Sequence, residues 1–181
     1  MAIVMNRTTL QIINSANTPD YPVEDWIINP DLSDVSGIDE KYWKIVGDTV
    51  VEMNQSEKDV VDAADFVIAK ATRRNLIDYQ SGVLIAGGFT YDSTQFSLSA
   101  NAQINWTNVH QNRANWSYPL KVSIFALSGE YSLTNQTTVE NFYNTGIQRV
   151  KTILDGGRQL KIDINNAADQ TELDAVVDDR T

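Results

Sequence analysis

The sequence predicts an α+β protein: a small N-terminal β module, a linking amphipathic helix, and a C-terminal module of β-hairpins packed on a long helix. Three observations carry that prediction. Tyr42–Val46 and Thr49–Met53 are β-rich runs around the two-residue loop Gly47-Asp48. Val60, Val61, Ala64, Val67, Ile68 and Ala71 recur at helical intervals. A second and stronger helical stripe follows further short strands and joins Val139, Phe142, Tyr143, Ile147, Val150, Ile153 and Leu154.

Residues 1–53 form the β-rich module. Ile3-Val4-Met5, Leu10–Ile13 and Trp26-Ile27-Ile28 are its first strand candidates. Between the second and third lies Asn17–Pro22, a loop by its Pro and Asn/Asp chemistry. Asn29-Pro30-Asp31 closes the third strand, and the Gly47-Asp48 hairpin completes the module.

Residues 54–82 form the linking segment, helical from Asn54 to about Tyr79. Asn54 and Glu57 have the spacing of a capping box. Lys58, Asp62, Asp65 and Lys70 lie off the apolar stripe, and the helix is expected to fade at Gln80-Ser81-Gly82. A helix of this length would serve as a spacer between modules.

Residues 83–181 form the C-terminal domain. Val83–Ala86 reads as a strand leading through Gly87-Gly88 to Phe89-Thr90-Tyr91, and Asp92-Ser93-Thr94 turns the chain back into Gln95–Leu98. Ser99 caps a helix over about Ala100–Arg113, with Ile104 and Val109 as its weak apolar face. Lys121–Leu127 and Glu130–Leu133 form a hairpin about Ser128-Gly129. Thr137 and Glu140 have capping-box spacing at the start of the long helix. Gly156-Gly157 either stops that helix or lets it continue with a bend to Leu160 and Ile164, the glycines admitting another backbone; continuation is preferred. Asn165-Asn166 breaks the pattern, and a short helix at Glu172–Val177 ends in an acidic, frayed tail.

The bulk composition narrows the function. In 181 residues, 24 acids against 14 bases leave a formal charge of −10, and Arg73-Arg74 is the largest basic cluster. That field opposes phosphate backbones and anionic lipid, so neither nucleic acid nor membrane is expected as a partner. No stretch of about 18 apolar residues exists to cross a bilayer, and the first residues do not read as a secretory signal. The chain has no cysteine, which removes disulfides, thiolate chemistry and cysteine-ligated zinc. Only 21% of residues are charged, and Asn, Gln, Ser and Thr supply much of the remaining polarity. Such a surface favours a subunit of an assembly.

Chemistry-bearing constellations are sparse. His110 has Asn, Gln and Val for neighbours and no nucleophile or orienting carboxylate beside it. The paired acids Asp39-Glu40, Asp62/Asp65 and Asp178-Asp179 read as solvated loops or helix faces. Asp31, Asp34, Asp39 and Glu40 lack the spacing of a calcium loop, and Gly87-Gly88 lacks that of a phosphate loop. No catalytic, cofactor or metal residue is assigned, and no enzyme activity is expected. The aromatics remain. Trp26, Tyr42 and Trp43 combine apolar area with a polar tip, suited to a core or an interface. Trp106, Trp116 and Tyr118 lie in a polar stretch with few apolar neighbours, which favours an interface.

Two stretches carry a family resemblance. Asp25–Leu32, then Tyr42–Met53 followed by Ser56-Glu57-Lys58, resembles the N-terminal part of many small phage proteins. Gly88–Tyr91, Phe96–Leu98 with Asn101–Asn105, Tyr131–Thr134 and Arg158–Ile164 are similar to an uncharacterised domain of bacteriophage tail-fibre and tail-fibre-assembly proteins. The resemblance implies a structural protein of the virion, made in the host cytoplasm. It would be an adaptor or accessory subunit of the tail, baseplate or fibre apparatus that docks other virion proteins and forms a homo-oligomer. A capsid decoration protein, a fibre-assembly chaperone and a glycan-binding receptor domain are the alternative expectations. One departure is the strongly apolar Ser123–Leu127, either a central strand or an edge that docks another chain. The expected interface residues are therefore Trp106, Trp116, Tyr118, Ile124, Phe125, Trp26, Tyr42 and Trp43.

Overall fold

The computed structural model describes residues 2–17, 20–123 and 129–181. It is mixed α+β, with N-terminal strands, a long helix, β-hairpins and a C-terminal helix packed against the hairpins. By their contacts the residues form two units, one up to Val67 and one from Ile68 onwards. The border falls inside the first long helix, whereas the sequence reading divides the chain at the two ends of that helix.

In the first unit β1 (Ala2–Asn6) is the middle strand of an antiparallel sheet, flanked by β2 (Ile12–Ala16) and β3 (Trp26–Ile28). β2 starts two residues later than its hydrophobic pattern suggests. The Asn6 side chain accepts from the amides of Thr8 and Thr9, and Leu10 takes a left-handed φ of 60°, so the turn consumes Leu10. β4 (Trp43–Val46) and β5 (Thr49–Glu52) form the expected hairpin in the register Ile45 to Val50. Gly47 alone in its loop has a positive φ, as a type II′ turn requires. Met5, Val35, Trp43 and Val50 are the buried core of this unit.

α1 (Gln55–Ala86) begins as its sequence predicts. The Glu57 amide donates to Asn54 Oδ1 at 3.0 Å and the Asn54 amide to the Glu57 carboxylate at 2.8 Å. It ends seven residues beyond Tyr79, so Val83–Ala86 is helix and not strand. Gly82 costs the helix something but does not stop it, and Ile85 is carried inward against the core of the second unit. Gly87-Gly88 is the true terminus, where Gly88 has a φ of 79° and the amides of Gly87 and Gly88 bond the carbonyls of Val83 and Ile85.

The second unit holds β6 (Phe89–Tyr91), β7 (Thr94–Phe96), α2 (Ala100–Gln111), β8 (Leu120–Ser123), β9 (Glu130–Leu133), α3 (Gln136–Asn166) and α4 (Gln170–Ala175). The two strand pairs are separate antiparallel hairpins. Asp92 and Ser93 both have positive φ, making the tight mirror-image turn of the first. Of the second, residues 124–128 lie outside the described residues. The core joins Phe89, Phe96, Leu98, Val122, Leu133, Val139 and Phe142. Phe142 is its centre, with Phe89, Tyr91, Phe96 and Trp106 all within 5.5 Å between ring centroids. Tyr131 donates to Asp92 at 2.8 Å, and that carboxylate pushes its phenol up to about 12.

Three local readings are corrected here. The α3 capping box is Asn135 with Thr138, whose side chains accept from each other's amides, and Thr137 already lies within the helix. α4 starts at Gln170, two residues before Glu172, because Asp169 caps it by accepting from the Glu172 amide. The C-terminal tail is not frayed. Arg180 and Asp178 have side chains only 10% and 11% exposed and bond each other at 2.6 Å.

The tail explains the paired glycines. α3 runs unbroken through Gly156-Gly157, which admit a side chain rather than a backbone. The Arg180 side chain lies over them, its stem on Gly156 and its guanidinium on Gly157, and it donates to Ser81 Oγ and to the Ile153 carbonyl, both at 2.8 Å. A Cβ on Gly157 would sit 2.5 Å from Arg180 Nη1 and 3.0 Å from Ser81 Oγ. Gly157→Ala should therefore cost about 1–3 kcal/mol in denaturant unfolding. The cost of Gly157→Ala combined with Arg180→Ala should fall short of the two single costs added together. Strict additivity would show that the arginine does not fill the notch.

The same ion pair sets an acid response. Arg180 holds the Asp178 carboxyl below its ordinary value. Its contribution is complete above the usual carboxylate range and fades as pH falls through the depressed value. Protection of the amides in residues 170–181, taken relative to the intrinsic exchange rate at each pH, should fall below about pH 4, and Asp178→Asn should show that loss of protection already at neutral pH. Unchanged protection in that variant would contradict the ion pair's role.

Candidate functional site

α1 is unusual in the direction of its charges. Four charged residues lie between Ile68 and Ala86, namely Lys70, Arg73, Arg74 and Asp78. Each is bonded to the C-terminal part of its own unit. Lys70 donates to the carbonyls of Asn165 (2.9 Å) and Ala167 (2.5 Å), and Arg73 donates to that of Val176 (2.9 Å). Arg74 donates to Asn165 Oδ1 at 2.7 Å, and Asp78 accepts from Lys161 at 2.6 Å. Ile77 and Ser81 are buried on that inner side.

The outer side carries Ile68, Thr72, Asn75, Leu76, Tyr79 and Val83, spaced at three and four residues as one helix face. All six are exposed, Ile68 by 63% and Tyr79 by 70%. A solvent face of a helix ordinarily carries charge. This one has none of its own across more than four turns. The stripe expected at Val60, Val61, Ala64, Val67, Ile68 and Ala71 is likewise not core. Val60, Ala64, Val67 and Ile68 are exposed, while Val61 and Ala71 are half-buried.

The aromatic candidates separate. Trp43 is buried in the first core and donates to the Ile38 carbonyl at 3.0 Å. Trp106 is half-buried, packs edge-on against Phe142 and donates to the Ser97 carbonyl at 3.0 Å. Tyr118 also packs on that core, its hydroxyl donating to the Arg113 carbonyl at 2.6 Å. Trp116 is 43% exposed and donates to the Val109 carbonyl at 3.2 Å. Trp26 is half-buried with its ring edge-on to Tyr21. Ile124 and Phe125 lie outside the described residues.

Tyr42 belongs to a charged seam within the first unit. Its hydroxyl donates to Asp62 at 2.6 Å, and Lys41 donates to Asp62 at 2.8 Å and Asp65 at 2.9 Å. Lys44 bonds Glu57, and Lys58 bonds Glu52. Lys41 and Tyr42 hold the Asp62 carboxyl below its usual range, as Lys44 does for Glu57. This seam sews the β4–β5 hairpin to the start of α1, which gives Tyr42 and Lys44 a structural duty.

His110 stacks on Tyr143 at 4.1 Å between ring centroids, close to parallel. Asp31 and Asp39 accept from the amides of Ser33 and Lys41 as turn and cap groups. No three His, Cys, Asp or Glu side chains gather to hold a metal among the described residues, and no described helix is long and apolar enough to cross a membrane. The hollow along α3 is lined by Asn141, Asn144, Thr145, Gln148, Arg149 and Thr152, amides and hydroxyls with one guanidinium. Comparison with protein-family models, curated proteins and solved structures returned no match.

The tryptophans offer a direct check on this sorting. Trp43→Ala should cost about 3–5 kcal/mol in thermal or denaturant unfolding. Trp116→Ala should cost about 1 kcal/mol or less. Equal losses for the two would place Trp116 in a core as well.

Proposed function

We propose that this protein is a structural subunit of a phage virion, an adaptor or accessory component of the tail, baseplate or fibre apparatus. It acts by docking other proteins and makes or breaks no bond in a substrate. The observation that carries this reading is the uncharged outer face of α1. Ile68, Leu76, Tyr79 and Val83 stand in water on a helix whose four nearby charges are all turned the other way. Covering apolar side chains of that size releases about 25 cal/mol per Å² of buried area. Exposed apolar surface of this kind, continuous along a helix, marks a helix-in-groove or helix-on-helix contact.

The resemblance of the hairpin and C-terminal motifs to small phage proteins supplies the setting. The absence of cysteine and the surface rich in amides and hydroxyls agree with it. Of the expected interface residues that are described, Trp116 is the aromatic left most open and is the natural second anchor.

Peptide mass spectrometry of purified particles tests the reading. The wild-type chain should be present at fixed stoichiometry, and Ile68→Glu should be missing from particles while folding normally by circular dichroism. Absence of the wild-type chain from particles contradicts the proposal, as does full incorporation of the variant.

A further inference from the structure

We infer that the partner of the outer α1 face is a second copy of this chain, laid antiparallel along the same six residues. The inference rests on the docking reading of that face and names its occupant. Charge is the first argument. The chain carries a net −10, so two copies repel wherever their acids meet. From Ile68 to Val83 the outer face presents only Ile, Thr, Asn, Leu, Tyr and Val. A partner with a charged contact surface would find no countercharge there and would lose its hydration without repayment. A second copy of the same face brings none.

Symmetry is the second argument. A two-fold axis between Asn75 and Leu76 sets Ile68 against Val83, Thr72 against Tyr79, and Asn75 against Leu76 of the second copy. Branched aliphatics meet at both ends, and the tyrosine ring lies over a small threonine. The two Asn75 amides fall together at the centre, where they bond each other and fix the register. Antiparallel helices also set opposite dipole ends side by side. The paired segment is about 24 Å long, and six side chains a copy can bury at most on the order of 1,000 Å² in total, below the roughly 1,200 Å² at which stable specific interfaces begin. The dimer should therefore be reversible and concentration-dependent in the isolated chain.

Sedimentation velocity of the full chain over a wide concentration range tests this, with circular dichroism melts as the folding control. Wild type should pass from monomer to dimer. Thr72→Glu or Tyr79→Lys alone should weaken the dimer about tenfold or more, because each buries an unpaired charge twice. The double variant should recover the dimer, since the antiparallel axis brings each new carboxylate beside a new ammonium of the second copy. A monomer at every concentration overturns the inference, and so does a dimer indifferent to the single variants or a double variant that stays dissociated. A monomeric wild type whose Ile68→Glu form is still lost from particles would sink the self-pairing alone and leave the docking reading standing.

Discussion

The guanidinium of Arg180 sits against the notch that two glycines leave on α3, and it ties the C-terminal tail to both long helices of the second unit. From there it reaches the Ile153 carbonyl on α3, the Ser81 hydroxyl on α1 and, more distantly, the Ile77 carbonyl. Asp178 faces it from the tail and balances its charge. A buried guanidinium is tolerated only when its donors are met, and here four different groups meet them. The cost of removing one partner is correspondingly high, because the others stay buried and unpaired.

Lys70, Arg73 and Arg74 repeat the theme. Each reaches from α1 to a carbonyl or side-chain oxygen near the end of α3 or in the tail. The Lys70 bond to Asn165 satisfies a carbonyl that the α3 terminus would otherwise leave without a helical partner. These bonds also determine what the rest of α1 presents. With its charges spent inward, the opposite face keeps only uncharged side chains. The stability of the unit and the character of its outer surface thus have one origin.

Much of the local architecture was legible because its signals are local. The Gly47-Asp48 turn, the Asn54–Glu57 box and the Ser99 cap on α2 lie within a few residues of their effects, whereas the α3 stripe holds in part: Val139, Phe142 and Ile153 are buried, but Ile147 and Leu154 are 40% and 49% exposed. Where distance intervened, the reading slipped. Trp106 looks exposed in a polar stretch, yet its partner Phe142 is 36 positions away. The α1 stripe looks like core because periodicity cannot say which face a unit covers. The Gly156-Gly157 notch has no meaning until Arg180 arrives from the far end of the chain. Val83–Ala86 has β-branched and aliphatic character that suits a strand, but the packing of Ile85 keeps it helical. Of the candidate site, Trp116 was named in advance, while Tyr79 was read only as the end of the helix. The uncharged face was not visible in advance, since it is defined by where four charges point.

The central claim is that the outer face of α1 is covered when the protein works. Hydroxyl-radical footprinting at Tyr79, compared between the dilute free chain and purified particles, addresses it most directly. The account predicts strong labelling of Tyr79 in the free chain and marked protection in particles, with the internal reference Tyr131 changing little. Equal labelling of Tyr79 in both states would contradict it.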